Sequence, residues 1–86
     1  MQYVYILECA DKSSYTGCTR DLKERYKRHQ IGNVPSTKAK LPITLLFYCA
    51  FQDVNNAFAF EKYLKSGSGR AFMKKHFIKS RNAHRR

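Results

Sequence analysis

A small sheet with helices packed against it, an α+β arrangement in the order strand, strand, helix, strand, helix, helix, is the fold this 86-residue sequence predicts. Apolar residues make up 43% of the chain, enough for one modest core and no second domain. Two stretches, Tyr3–Leu7 and Ile43–Phe51, are rich in the aromatic and β-branched residues of strands. Segments free of Gly and Pro separate and follow them, with apolar residues at helical spacing.

Tyr3–Leu7, the turn-like Ala10–Ser13 and the renewed strand character of Ser14–Thr16 read as an N-terminal β-hairpin. Alternation puts Tyr3, Tyr5 and Leu7 on one face and Val4, Ile6 and Glu8 on the other. Asp21 or Thr19 can cap a first helix over about residues 20–31, with Glu24 three residues after Asp21 and Gly32 as its stop. Gly32–Pro42 holds two prolines and few apolar residues, which predicts a surface loop carrying positive charge. Ile43–Phe51 is almost continuously apolar and suits a third strand covered on both faces, in a central position. Asp53 can cap a second helix whose Ala57, Phe60, Glu61 and Leu64 form a stripe ending at Ser66-Gly67. Ser68 is then expected to cap a short third helix, with Phe72 and either His76 or Phe77 facing inward. The domain is expected to span residues 1–78, followed by a basic, mobile tail over residues 79–86.

Several function classes drop out. The longest apolar run is half the length of a membrane-spanning helix, and Met1-Gln2-Tyr3 has no charged leader, so a cytoplasmic protein without membrane partners is expected. Cys9, Cys18 and Cys49 fit neither paired disulfides nor a zinc knuckle and read as small buried hydrophobes in a reducing compartment. Nothing resembles a helix-turn-helix, a Gly-rich phosphate loop or a Cys/His finger.

The net charge of +11 points to a polyanion. It is unevenly placed: Arg20–Lys40 holds seven basic residues, Leu41–Glu61 none, and Lys62–Arg86 nine with no acid. Two basic zones could follow two stretches of phosphates, and Arg20, Arg28, Lys38, Lys40 and Arg70 are the candidate nucleic-acid contacts. Arg25 and His29, four apart, share a helix face and suit a phosphate that must be gripped while a proton moves nearby. Glu61 falls on an apolar stripe, so either it pairs with Lys65 one turn on or it binds a cation.

Taken in order, Tyr3-Val4-Tyr5, Tyr15-Thr16-Gly17, Arg25, His29 and Glu61 resemble the GIY-YIG nuclease superfamily, over nearly the whole chain from Tyr3 to about Ile78. The likeness is to its small single-domain members, the UPF0213 or excision-nuclease-C N-terminal-like group, which share the YVYIL and YTG elements. Glu61-Lys-Tyr-Leu-Lys-Ser-Gly-Ser-Gly-Arg70 is also similar to that group. Tyr3 stands where the superfamily's name has glycine, as in the small members, and Asn82 is too far into the tail to be assigned as a late asparagine.

The resemblance implies a three-stranded antiparallel sheet flanked by helices and a metal-dependent endonuclease hydrolysing phosphodiester bonds; a domain of 86 residues has little room for sequence readout, so the expected substrate is DNA, with branched or damaged forms among the candidates. It implies one divalent cation, Mg²⁺ or Mn²⁺, on Glu61; Arg25 as catalytic arginine; His29 as helix histidine; Tyr5 and Tyr15 as motif tyrosines; and a backbone role for Gly17. A phenol of pKa about 10 is protonated at pH 7, so Tyr5 can act as a base only if cations favour phenolate or His29 takes its proton. The expectation is a Tyr5–His29 relay, with Tyr15 positioning water or phosphate. The alternatives are a non-catalytic basic nucleic-acid-binding module with the same fold, and a subunit whose target choice comes from a protein partner; DNA is favoured over RNA.

Overall fold

The structure is a computed structural model that describes residues 1–78; the expected basic tail, with Asn82, lies outside the described residues. Three antiparallel strands form one sheet in the order β2-β1-β3, where β1 is Gln2–Glu8, β2 is Ser14–Thr19 and β3 is Thr44–Phe51. Helix α1 (Leu22–Gln30) and a single turn, α2 (Pro35–Lys38), follow β2. Helices α3 (Val54–Leu64) and α4 (Gly67–Met73) follow β3, and a π-helical turn, Lys74–Ile78, closes the described chain.

The alternation in β1 divides the core in two. Val4 and Ile6 face α3 and α4, packing with Ala57, Leu64 and Met73, while Tyr5 and Leu7 face the other side with Cys9 and Ile43. Leu22 and Tyr26 of α1 close this second layer, and His29 continues their stripe as the helix's buried residue. Asp21 is the α1 cap, its Oδ1 accepting from the Glu24 N–H at 3.1 Å. All three cysteines are free, Cys9 buried and the other two half-buried. No helix among the described residues is long and apolar enough to cross a membrane.

Three expectations need correction. The central strand is β1, whose Val4, Tyr5, Ile6 and Leu7 are at most 1% exposed; β3 is an outer strand, and Tyr48 on it is 53% exposed. The hairpin leaves one edge of β1 open and β3 docks there, so its apolar run reflects packing under Phe77 and Phe60 rather than a central place. Within Gly32–Pro42 a helical turn forms because Pro35 occupies its first position, where a missing N–H costs nothing. Helix α4 begins earlier than expected, capped by Ser66, whose Oγ accepts from the Gly69 N–H at 3.1 Å. Of the two inward candidates near its end, Phe77 stacks on Phe47 at 4.5 Å while His76 is exposed.

Gly69 is where α4 meets the end of α3: a Cβ there would fall on the Tyr63 carbonyl oxygen and the Leu64 backbone, whereas one on Gly67 would meet nothing within 4 Å. Gly69→Ala is therefore expected to lower stability by about 1–3 kcal/mol. Gly67→Ala should stay within about 0.5 kcal/mol of wild type, with urea midpoints as the measurement. Equal midpoints for the two variants would show that the helices do not meet at Gly69.

Candidate active site

Strand β1 carries Tyr5 into the layer beneath α1, and α1 returns His29 to it seven residues after Leu22. The Tyr5 hydroxyl lies 2.9 Å from His29 Nε2, and His29 Nδ1 lies 2.8 Å from Thr37 Oγ1. His29 and Thr37 are fully buried, and Tyr5 nearly so. A neutral imidazole has one donor and one acceptor nitrogen, so assigning the ring proton to Nδ1 satisfies every member. Tyr5 O–H then donates to Nε2, and Nδ1–H donates to the Thr37 hydroxyl.

The same surroundings hold both titrating groups neutral. Burial, reinforced by Tyr15 and opposed by the Arg25 guanidinium, pushes the Tyr5 pKa from 10 up to about 12. Burial, with help from the positive charges of Arg25 and Arg28, pushes His29 below its ordinary 6.5. Ionising Tyr5 alone at pH 7 would cost about 7 kcal/mol at 1.36 kcal/mol per pH unit. Of the two routes open to a tyrosine base, preformed phenolate is thus the costly one, while a neutral imidazole already sits at hydrogen-bond distance.

Tyr15, opposite Leu7 in the hairpin register, brings its ring to 6.2 Å from Tyr5 and 5.1 Å from His29 between centroids. Arg25 lies one turn before His29, half-buried, and its Nε is buried with no hydrogen-bond partner among the described residues. A buried cationic donor without an acceptor is a strong site for an anion. Gly17 is the register partner of Tyr5, and a Cβ there would collide with the Tyr5 ring end and hydroxyl. Its φ is not in the left-handed region. The missing side chain is the space the phenol occupies.

Glu61 is placed differently. It rides on α3, the helix covering the Val4/Ile6 face, and its Oε2 accepts from Lys65 Nζ at 3.0 Å. The carboxylate side chain is 21% exposed. Tyr5, Tyr15, Arg25 and His29 are thus brought together, with Glu61 held by its i+4 lysine. No group of three or more His, Cys, Asp or Glu comes together among the described residues. The donor set is one reachable carboxylate oxygen, which is compatible with Mg²⁺ because that ion keeps several waters and completes its shell from substrate phosphate.

The candidate backbone contacts are spread around this centre. Arg28 is loosely paired with Glu24 at 3.8 Å and Lys40 with Asp11 at 4.0 Å, both partly exposed and easily given up. Lys38 is exposed on α2, Arg20 at the head of α1. Arg70 lines an open groove of about 620 Å³ with Lys12, Lys65 and Lys74, and Tyr15 forms part of the same wall. No carboxylate is among its lining residues. Thr37 escaped the sequence reading because its segment has loop composition; Pro35, as the first residue of a helical turn, is the signal that could have found it.

With this geometry in view, comparisons with known proteins place the chain. Residues 1–76 match the GIY-YIG catalytic domain. A UPF0213 protein of Streptococcus pyogenes serotype M5 (strain Manfredo) is 41% identical over 70 residues, covering 80% of this chain and 76% of that protein. One from serotype M3 (strain ATCC BAA-595 / MGAS315) is 40% identical with the same coverage. The solution NMR structure of a UPF0213 protein from Bacillus halodurans superposes with a TM-score of 0.56 at 35% identity, over 87% of this chain and 84% of that one. Domain match, identity and shared fold agree, and the chain belongs to the GIY-YIG family of nucleases.

Proposed function

We propose that this protein is a metal-dependent endonuclease that hydrolyses phosphodiester bonds in DNA, branched or damaged forms included. The observation that carries the reading is the buried Tyr5–His29–Thr37 chain beside Arg25, whose Nε lacks a partner among the described residues. A structural role alone would not call for an unpaired cationic donor next to a proton chain.

Hydrolysis needs a water relieved of its proton and negative charge stabilised on the phosphoryl oxygens. As a water attacks the phosphorus, the P–O bond to the departing sugar oxygen breaks and that oxygen takes a proton from solvent; the Tyr5 oxygen takes the attacking water's proton while Tyr5 O–H passes its own to His29 Nε2, so the phenol is never a free phenolate. The imidazolium formed keeps Nδ1–H on Thr37, and the positive charges of Arg25 and Arg28 favour its later return to neutrality. Arg25 offers two parallel hydrogen bonds to the phosphate. Tyr15, with its ring against both partners, orients water or phosphate. Glu61 is the residue that would hold the divalent cation of the family, Mg²⁺ or Mn²⁺, in competition with Lys65; that cation supplies positive charge to the phosphoryl oxygens. Arg20, Arg28, Lys38, Lys40 and Arg70 hold flanking phosphates.

Incubation with supercoiled plasmid and with branched DNA, with Mg²⁺ or Mn²⁺ and then with chelator, tests the reading. Wild type should nick, chelator should stop it, and Tyr5→Phe, Arg25→Lys and Glu61→Ala should each lower the rate about 10²-fold or more while binding persists. If wild type and Glu61→Ala bind alike and neither nicks, the protein is a basic nucleic-acid-binding module instead.

Cleavage should also carry an acid limb set by His29. Protonated imidazole cannot accept from Tyr5, and because its pKa is depressed, activity should be full at pH 7 and fall only below 6.5, about tenfold per pH unit. Stability runs the same way: the unfolded histidine binds a proton from about 6.5 downward while the folded one resists, so stability is lost as pH falls through the folded value. A rate profile inflecting above 6.5 would remove His29 from the relay.

Gly17→Ala separates the relay from the fold. The new Cβ displaces the Tyr5 hydroxyl from His29, so cleavage should fall at least about tenfold, with far-ultraviolet circular dichroism unchanged. Unaltered cleavage would mean that the Tyr5–His29 contact is not used in turnover.

A further inference from the structure

On the β3 side of α1 lies an open trough of about 390 Å³, lined by Tyr3, Arg20, Leu22, Lys23, Tyr26 and Tyr48, with Asp21 and Leu45. None of the reacting groups above lines it. Tyr48 is the register partner of Tyr5, so it rises from the same sheet face, but on the outer strand, where it is half-exposed. Tyr3 lies beside it, with ring centroids 6.4 Å apart and planes tilted by 55°. The rings meet at an angle rather than face to face, which leaves Tyr48 ring surface in solvent.

A lone exposed aromatic needs no explanation. Here, however, it shares the trough with two exposed cations, Arg20 and Lys23. The only carboxylate in the lining, Asp21, is committed to the helix cap through the Glu24 N–H. An aromatic face open to solvent, flanked by two cations against one helix-capping carboxylate, is the chemistry that holds an unpaired nucleotide: the base stacks on the ring and its phosphates meet the cations. In continuous duplex the bases are already stacked on each other and offer no free face.

We propose that this trough is a binding subsite for one unpaired nucleotide of a DNA strand, with Tyr48 as the stacking platform, Tyr3 beside it, and Arg20 and Lys23 holding the adjoining phosphates. It deepens the nuclease reading by naming a substrate feature, an unpaired nucleotide at a flap, gap or branch. It rests on that reading for nucleic acid as the ligand and not for turnover.

The test uses the full chain and three labelled DNAs, a short single strand, a flapped duplex and a blunt duplex, titrated by fluorescence anisotropy in chelator so that nothing is cut. Wild type should favour the first two over the blunt duplex. Tyr48→Ala should weaken single-strand and flap binding about tenfold, the scale of one lost base–aromatic stack, and leave blunt-duplex binding within about twofold. Tyr48→Phe should restore it, because stacking needs the ring and not the hydroxyl. Arg20→Gln with Lys23→Gln should lessen the salt dependence of single-strand binding. Equal loss on all three DNAs, or no loss, overturns the subsite. So does a change in sedimentation with Tyr48→Ala, which would make the β3 edge a contact between two copies of the chain. Repeating the series with Mg²⁺ separates the two readings: nicking without Tyr48 selectivity sinks the subsite alone, and selectivity without nicking sinks turnover alone.

Discussion

The hydrogen bond between the Tyr5 hydroxyl and His29 Nε2 is the contact on which the rest of the site depends. It joins the central strand to the last turn of α1 inside the core, where an unmatched hydroxyl or ring nitrogen would cost about 1–3 kcal/mol each. The arrangement around it follows from that cost. Thr37 must meet Nδ1, which requires the Pro35–Lys38 turn to fold back under α1. Gly17 must lack a side chain, because the phenol fills the space a Cβ would take.

Two features of the chain let so small a domain build this site. Alternation along β1 sends Val4 and Ile6 to the layer under α3 and α4, so one face can be mostly apolar while the other accommodates the Tyr5–His29–Thr37 chain. Arg25 acts on both groups in the same direction: its positive charge lowers both pKa values, which holds the histidine neutral and eases the tyrosine's loss of a proton, while burial keeps the tyrosine protonated. Tyr5 and His29 are thus both uncharged at rest, and a proton passing between them in the proposed relay would start from neutral partners.

Much of this was legible in the sequence, for physical reasons. Period-two patterning separates Tyr5 from Val4 and Ile6 without any structure, and the i, i+4 spacing of Arg25 and His29 puts both on one turn of α1. The hairpin, the α1 cap at Asp21 and the α3 stripe of Ala57 and Leu64 follow from equally local rules. What could not be read was non-local. Ile43–Phe51 looks central because it is apolar, yet its place at the edge depends on which side of β1 remains open after the hairpin closes. Thr37 sits in a segment of loop composition, and its role arises from His29, eight residues earlier. Ser66 and Ser68 are both plausible caps by composition, and the backbone's extended conformation at Ser66 decides between them.

Glu61 illustrates a further limit. Its place on an apolar stripe admits both pairing and metal binding, and the structure shows the pairing: Lys65 holds one carboxylate oxygen at 3.0 Å. The two are not exclusive in a protein that meets a polyanion. Lys65 is more than half exposed and also lines the groove that runs to Tyr15, where phosphates would draw it from Glu61. A partly exposed i,i+4 pair is worth a few tenths of a kcal/mol, which is small beside the attraction of a phosphate backbone for four groove cations. Under the proposed reading, a lysine so placed would keep the carboxylate neutralised while the groove is empty and yield it when a phosphate backbone enters, which would couple metal affinity to the presence of nucleic acid.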